Sequence, residues 1–307
     1  MRAFSEVILF CAFVGTEATN SSAVDVERQA KMSTCELVVD MGYHCETWKA
    51  PTEDGYVVEI DRVGENISET HGNNKYRGVP IVLVPGMFYD SATWFINYPS
   101  QSAGFLLAHK GYDVWALNTR EAVHRSSHKE LNHSDPQYWQ WSFDEIGRFD
   151  VAAAIDLVLS TTGASNLALL GFSQGFTSSL VLLSTNPDYN AKINLLMGYA
   201  PVANASHTGY PASPLVFLSD LLLEKPPEYP VKRINVPVAL FSSAGDTVAD
   251  PADVADLVHA LGSTVVLDYV VPIRNFRHTD FVLGYNAADV LHDVMIAILS
   301  NYTSRRN

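Results

Sequence analysis

Residues 166–185 read Asn166-Leu167-Ala168-Leu169-Leu170-Gly171-Phe172-Ser173-Gln174-Gly175-Phe176-Thr177-Ser178-Ser179-Leu180-Val181-Leu182-Leu183-Ser184-Thr185, and this stretch decides the fold. Asn166 to Leu170 is apolar without alternation, which predicts a strand covered on both faces. Gln174 to Ser184 predicts a helix. The turn between them, Gly171-Phe172-Ser173-Gln174-Gly175, is a G-x-S-x-G motif. Alone the motif is common by chance. Between a strand and a helix it predicts a nucleophile elbow, in which a sharp turn lifts the serine hydroxyl to the carboxyl edge of the sheet. The flanking glycines are required because strand and helix approach too closely for side chains.

The same rhythm extends in both directions. Short apolar strands are predicted at Ile81–Val84, Asp113–Ala116, Asn194–Tyr199, Pro237–Ser242 and Thr264–Val270. Helices are predicted at Phe143–Ser160, Pro251–Leu261 and Tyr285–Tyr302; in the last, Ala287, Val290, Leu291, Val294, Met295, Ile298 and Leu299 share one face. Upstream, a short helix (Ser33–Met41) precedes strand-like runs at Glu46–Lys49 and Tyr56–Arg62. Alternating strands and helices predict an α/β fold with a mostly parallel central sheet and helices on both faces. One segment breaks the rhythm: Pro201 to Val236 is rich in proline and carries an apolar stretch, Leu215 to Leu223. It is read as an excursion off the sheet, and the apolar stretch as either a residual lid or a helix packed over the site.

A serine hydroxyl needs a base, and in this architecture the order is Ser, then Asp or Glu, then His. After the strand Pro237–Ser242 two aspartates compete. Asp250 precedes Pro251 at a helix start, where it serves as an N-cap. Asp246 sits in the turn off the strand end and is the candidate triad acid. His278 follows the strand Thr264–Val270 in a loop and is the candidate general base, whereas His259 and His292 fall within helices. Backbone N–H groups of Gln174, after the nucleophile, and of Met87, in the loop Pro85-Gly86-Met87-Phe88, are the candidate oxyanion donors. His124, His128 and His133 share one loop without a carboxylate or cysteine to complete a ligand set, so a solvated basic loop is expected and no metal or other cofactor is assigned.

Composition narrows the setting. The chain has 307 residues, 47% hydrophobic and 18% charged, with 20 basic against 34 acidic side chains and a net charge of −14. Disorder is excluded for the bulk of the chain, and the acidic field argues against a nucleic-acid partner. Residues 1–18 resemble a secretory signal peptide, followed by one catalytic domain over 19–307; no later stretch is long and apolar enough for a transmembrane segment. Sequons occur at Asn20, Asn66, Asn132, Asn204 and Asn301. Once Cys11 leaves with the signal, Cys35 and Cys45 remain as a pair suited to one disulfide, or to two buried thiols.

These residues also resemble a known family. Thr52-Glu53-Asp54-Gly55-Tyr56, Gly111-Tyr112-Asp113-Val114-Trp115, Asn118 with Arg120, Ser142-Phe143-Asp144-Glu145, Phe149-Asp150, the serine elbow, Ser184-Thr185-Asn186-Pro187, Ala200-Pro201-Val202-Ala203, Pro226-Pro227-Glu228-Tyr229, Asp246 to Pro251 and His278-Thr279-Asp280-Phe281 are together similar to the acid lipases, the family of gastric and lysosomal acid lipase. The resemblance implies an α/β-hydrolase fold, a secreted or lysosomal setting, and Ser173, Asp246 and His278 as nucleophile, acid and base. It also implies hydrolysis of triacylglycerol or cholesteryl ester by an acyl-enzyme route, at a lipid-droplet or micelle interface.

The sequence departs from the family pattern in four places. Pro85 stands where the family has His before Gly, Phe172 where it has His before the serine, and Glu121 where Gly follows the Asn-x-Arg. The family's long helical cap is reduced here to an excursion over 204–225. The short cap leaves two other functions open: a short-chain carboxylesterase with an open site, or a catalytically impaired lipid-binding relative.

Overall fold

The computed structural model describes residues 26–66, 78–203, 206–207 and 228–303. The signal-peptide stretch, Asn20, Asn204 and nearly all of the 204–225 excursion, with Leu215 to Leu223, lie outside the described residues. The chain divides into two units, Met1–Ser33 and Thr34–Asn307. In the first, Glu27 and Lys31 form an exposed ion pair of 3.2 Å. The second carries the fold below.

Among the described residues nine strands form one sheet: β1 (Tyr43–Pro51), β2 (Tyr56–Asn66), β3 (Pro80–Val84), β4 (Asp113–Leu117), β5 (Ser126–His128), β6 (Leu167–Phe172), β7 (Ile193–Tyr199), β8 (Val238–Ser242) and β9 (Val265–Val270). Their spatial order is β1-β2-β4-β3-β6-β7-β8-β9, with β5 paired to β2. β1, β2 and β4 pair antiparallel, and from β4 through β9 every neighbouring pair along the path is parallel. The helices are α1 (Thr34–Asp40), α2 (Ala103–His109), α3 (Phe143–Glu145), α4 (Ala152–Thr162), α5 (Gln174–Thr185), α6 (Pro251–Leu261), α7 (Asp280–Leu283) and α8 (Asp293–Thr303). This is the expected α/β-hydrolase architecture.

Burial follows position in the sheet. Every residue of β3, β4, β6 and β8 is buried, because helices cover both faces of these inner strands. Edge strand β9 instead alternates between half-buried and exposed. Its Val266 and Val270 face solvent, so a continuous apolar run there does not mean two covered faces. Val82, Val84, Leu167, Leu169, Phe176, Leu180, Leu196 and Leu240 meet in one core between sheet and helices. Burying each large side chain of this kind contributes roughly 1.5–3 kcal/mol.

The helix expected over residues 143–160 runs on to Thr162. It opens with a capping box, Ser142 with Glu145, and widens to a π-helical turn over Ile146–Val151. That turn lies hard against α5: a Cβ on Gly147 would sit 2.4 Å from the Ser178 carbonyl oxygen. It also turns Asp150 inward, to complete exclusion from solvent.

The histidine loop is mostly exposed, as expected of a solvated loop, and it also carries local order. It contains β5. His128 packs edge-on against Tyr56, and its Nδ1 accepts hydrogen bonds from the Glu130 and Leu131 N–H groups. His133 Nε2 lies 3.0 Å from the Tyr138 hydroxyl. His124 and His133 are exposed and His128 is half-buried.

Cys35 of α1 and Cys45 of β1 are disulfide-bonded, with Cα atoms 5.2 Å apart. Of the described sequons, Asn132 and Asn301 are exposed and Asn66, at the end of β2, is half-buried.

Candidate active site

Ser173 sits between the end of β6 and the start of α5 with φ 52° and ψ −120°, a backbone conformation that non-glycine residues seldom adopt. The surroundings hold it there. Its N–H donates to the Tyr199 carbonyl of β7 at 2.9 Å. A Cβ on Gly171 would fall 2.4 Å from the Phe176 nitrogen, and one on Gly175 would fall 2.3 Å from the Val84 carbonyl oxygen. The two elbow glycines are therefore required by contact with backbone.

Ser173 Oγ lies 2.8 Å from His278 Nε2, and His278 Nδ1 lies 2.8 Å from Asp246 Oδ2. The second Asp246 oxygen accepts from the Val248 and Ala249 N–H groups at 2.8 and 3.1 Å. Asp246 is thus fully engaged and buried, with one edge of its carboxylate reserved for the imidazole. The loops that bring acid and base together come from β8 and β9 and touch through backbone: a Cβ on Gly245 would lie 2.6 Å from the Arg274 carbonyl oxygen. Asp250 caps α6 by accepting from the Ala252 N–H at 2.9 Å, which leaves it to the helix. The Phe172 ring lies tilted against the His278 ring, centroids 5.1 Å apart, supplying an apolar wall.

The loop after β3 passes directly over the elbow. A Cβ on Gly86 would lie 3.3 Å from the Ser173 Cβ and 2.8 Å from the Phe172 ring. Met87 follows, half-exposed, and Phe88 has φ 64°. As the first residue of α5, Gln174 has no intrahelical acceptor for its N–H. Both candidate donors therefore lie on segments that border the serine.

Arg120, two strands away from the elbow in the sheet, is completely buried. Its guanidinium forms ion pairs with Asp150 at 2.7 Å and Asp54 at 2.6 Å and stacks 4.0 Å over the Tyr56 ring. Burial works against its charge, but Asp150 and Asp54 outweigh that and raise its pKa. The next residue, Glu121, is partly buried and reaches Gln174 Nε2 at 2.8 Å. Burial pushes its carboxyl up to about 7, against the lowering effect of hydrogen bonds from Gln174 and the Phe88 backbone. Sequence reasoning met Glu121 only as a departure from a family pattern. Nothing in the local sequence pointed to Gln174, because the pair is 53 positions apart.

Two clusters among the described residues bring possible metal-ligand atoms together. In Cys35, Cys45 and Asp61 the sulfurs are already joined to each other. In His207, Asp253 and Asp256, His207 Nδ1 already bonds Asp253 at 2.8 Å. Neither cluster adjoins the serine relay in sequence.

Residues 34–98 match a family model described as a partial alpha/beta-hydrolase lipase region. Human lipase member M is 32% identical over 200 residues, covering 65% of this chain and 47% of its own. Rat gastric triacylglycerol lipase is 29% identical, covering 86% and 67%. Lysosomal acid lipase/cholesteryl ester hydrolase of Macaca fascicularis is 30% identical, covering 68% and 52%. The chain spans about half the length of the first of these relatives. The match to human lipase member K runs over 380 residues, more than the 307 present here, so that relative has residues without a counterpart in this chain. Among solved structures, a Pyrococcus furiosus esterase superposes with a TM-score of 0.59 at 15% identity, covering 87% of this chain and 96% of its own. At that identity the likeness concerns the fold.

Proposed function

We propose that this chain, a member of the acid lipase family of α/β-hydrolases, is a serine ester hydrolase that cleaves carboxylic esters of neutral lipids, triacylglycerol or cholesteryl ester. The observation that carries the reading is the unbroken hydrogen-bond path from Asp246 through His278 to Ser173, each link 2.8 Å. Ser173 Oγ attacks the ester carbonyl while its proton passes to His278 Nε2. Asp246 holds the imidazole tautomer and stabilises the imidazolium. The negative charge that develops on the carbonyl oxygen is taken by the N–H groups of Met87 and Gln174. His278 then gives its proton to the departing alcohol, and the acyl-enzyme is cleared by water along the same path in reverse roles.

A secreted or lysosomal setting is supported by the named gastric and lysosomal relatives, by the leader-like residues 1–18, and by the Cys35–Cys45 bond, which suits an oxidising compartment. Exposed Asn132 and Asn301 are the best-placed glycan acceptors. Among the described residues no helix is long and apolar enough to cross a membrane. On the lipase reading, lipid is met at a droplet or micelle surface. A second reading, a short-chain carboxylesterase, follows from the reduced cap expected from the sequence, since a smaller cap encloses less of a long acyl chain.

Hydrolysis of p-nitrophenyl esters from acetate to palmitate, and of emulsified triacylglycerol, tests both. Turnover that rises with chain length and drops about 10⁶-fold in Ser173→Ala is expected. Turnover restricted to short chains replaces the lipase reading with the esterase one. Turnover that survives Ser173→Ala removes both.

A further inference from the structure

Glu121 occupies a position where an acidic side chain is costly. It is partly buried, and the charged group that acts on it is a like charge, Asp150. The nearest cation in sequence, Arg120, is committed elsewhere. Its Nε and one terminal nitrogen bond Asp150, and its terminal nitrogens also reach both oxygens of Asp54. No ion pair for Glu121 occurs among the described residues, and its carboxyl is met instead by neutral donors, Gln174 Nε2 at 2.8 Å and the Phe88 N–H.

Those two donors belong to the two segments that carry the oxyanion N–H groups. Gln174 offers its own backbone N–H, so a bond that fixes its side chain also fixes the first turn of α5. Phe88 directly follows Met87 and sits at φ 64°, a conformation a bulky residue holds only when its neighbours enforce it. Glu121 is itself anchored, because the Arg120 N–H just before it donates to Asp150 at 2.8 Å and the Arg120 side chain is locked in the buried cluster.

We propose that Glu121 is a positioning residue of the oxyanion hole: its carboxyl ties the β3 loop, through Phe88, to the elbow, through the Gln174 side chain. The Met87 and Gln174 N–H groups are thereby held toward one point. The inference rests on the serine-hydrolase reading above. Oxyanion donors act by being preorganised, and a misplacement of about 1 Å can cost roughly 100-fold in rate. The weakly acidic character of Glu121 fits this role, since a neutral or weakly ionised carboxyl places little negative charge beside a developing oxyanion.

The test compares Glu121→Leu, Glu121→Gln and Gln174→Met with the full chain on a soluble p-nitrophenyl ester, with thermal melts alongside. Glu121→Leu is expected to lower kcat about 30-fold while KM stays within about 3-fold, because the tie serves the transition state and not substrate binding. Glu121→Gln keeps an acceptor oxygen of the same reach and is expected to recover most of that loss. Gln174→Met cuts the same tie from the elbow side and lowers kcat in the same sense. Unchanged kcat in Glu121→Leu, or a loss that appears only as a raised KM, overturns the proposal. If Glu121→Leu does not fold, unchanged kcat in Gln174→Met overturns it. These outcomes stay separate from the underlying reading, which fails if the unaltered chain turns over no ester or if Ser173→Ala still does.

Discussion

Arg120 and Ser173 both follow inner strands at the carboxyl edge of the sheet, yet the buried polar sites they organise obey opposite rules. Around Arg120 every strong donor meets an acceptor: Asp54, Asp150 and the Tyr56 ring enclose the guanidinium, and the cluster joins the β1–β2 turn to the π-helical turn before α4. Around Ser173 the relay is complete on the acid side and open on the other. Asp246 is saturated by three donors, whereas the Ser173 hydroxyl meets His278 alone on its side of the relay and the candidate donors Gln174 and Met87 flank it in the chain and in the neighbouring loop. A closed polar cluster fixes backbone, and a cluster closed on one side only is poised for chemistry.

If the contrast holds, changes at the relay move rate and changes at the arginine cluster move stability. The largest effect is expected from Asp246→Asn. Its amide still accepts from Val248 and Ala249 but favours the wrong imidazole tautomer, so kcat should fall about 10⁴-fold with little change in the melting temperature. A large loss of stability would instead place Asp246 with the structural cluster. Next is Arg120→Met, which leaves two carboxylates uncompensated, one of them completely buried. Equilibrium denaturation should show a loss of about 3–5 kcal/mol. A loss below about 1 kcal/mol would show that the cluster is not what fixes the turn.

The smallest effect concerns a third buried pair. The Tyr199 hydroxyl lies 2.9 Å from His292 Nδ1, the rings stack, and burial pushes the imidazole down to about 3. Unfolded His292 titrates near its ordinary 6.5. Between these values the unfolded chain binds a proton that the native chain refuses. His292 therefore leaves stability intact above about 6.5 and erodes it as pH falls toward 3, by about 1.4 kcal/mol per unit, or about 2 kcal/mol by pH 5. Denaturation curves at pH 7 and 5 should show this difference, and His292→Gln should reduce it. Equal pH dependence in the variant would remove His292 as its source. Because the Tyr199 carbonyl also holds the Ser173 N–H, this pair links acid tolerance of the fold to the elbow.

Much of this was legible in the chain, and the reasons are local. Inner strands announce themselves as continuous apolar runs, and the elbow glycines, the Asp250-Pro251 cap and the order of Ser173, Asp246 and His278 need only neighbouring residues to be recognised. The helix Ala103–His109 and the strand Ser126–His128 were not foreseen. Both are short, and the second gains its hydrogen bonds from β2, distant in sequence. The edge character of β9 was also hidden, since Val265 to Val270 reads like any inner strand until its missing neighbour is known.

By itself, then, the sequence determined the alternation of strands and helices, the strained serine turn and the identity of the acid and base candidates, because each depends on backbone preferences and spacing within a few residues. Only the tertiary structure decided that Arg120 is sealed between Asp54 and Asp150, that His292 is buried against Tyr199, and that Glu121 meets Gln174 and Phe88. Those pairings join residues from separate strands and helices. Their energies come from desolvation and close contact, which exist only once the sheet has assembled and excluded water.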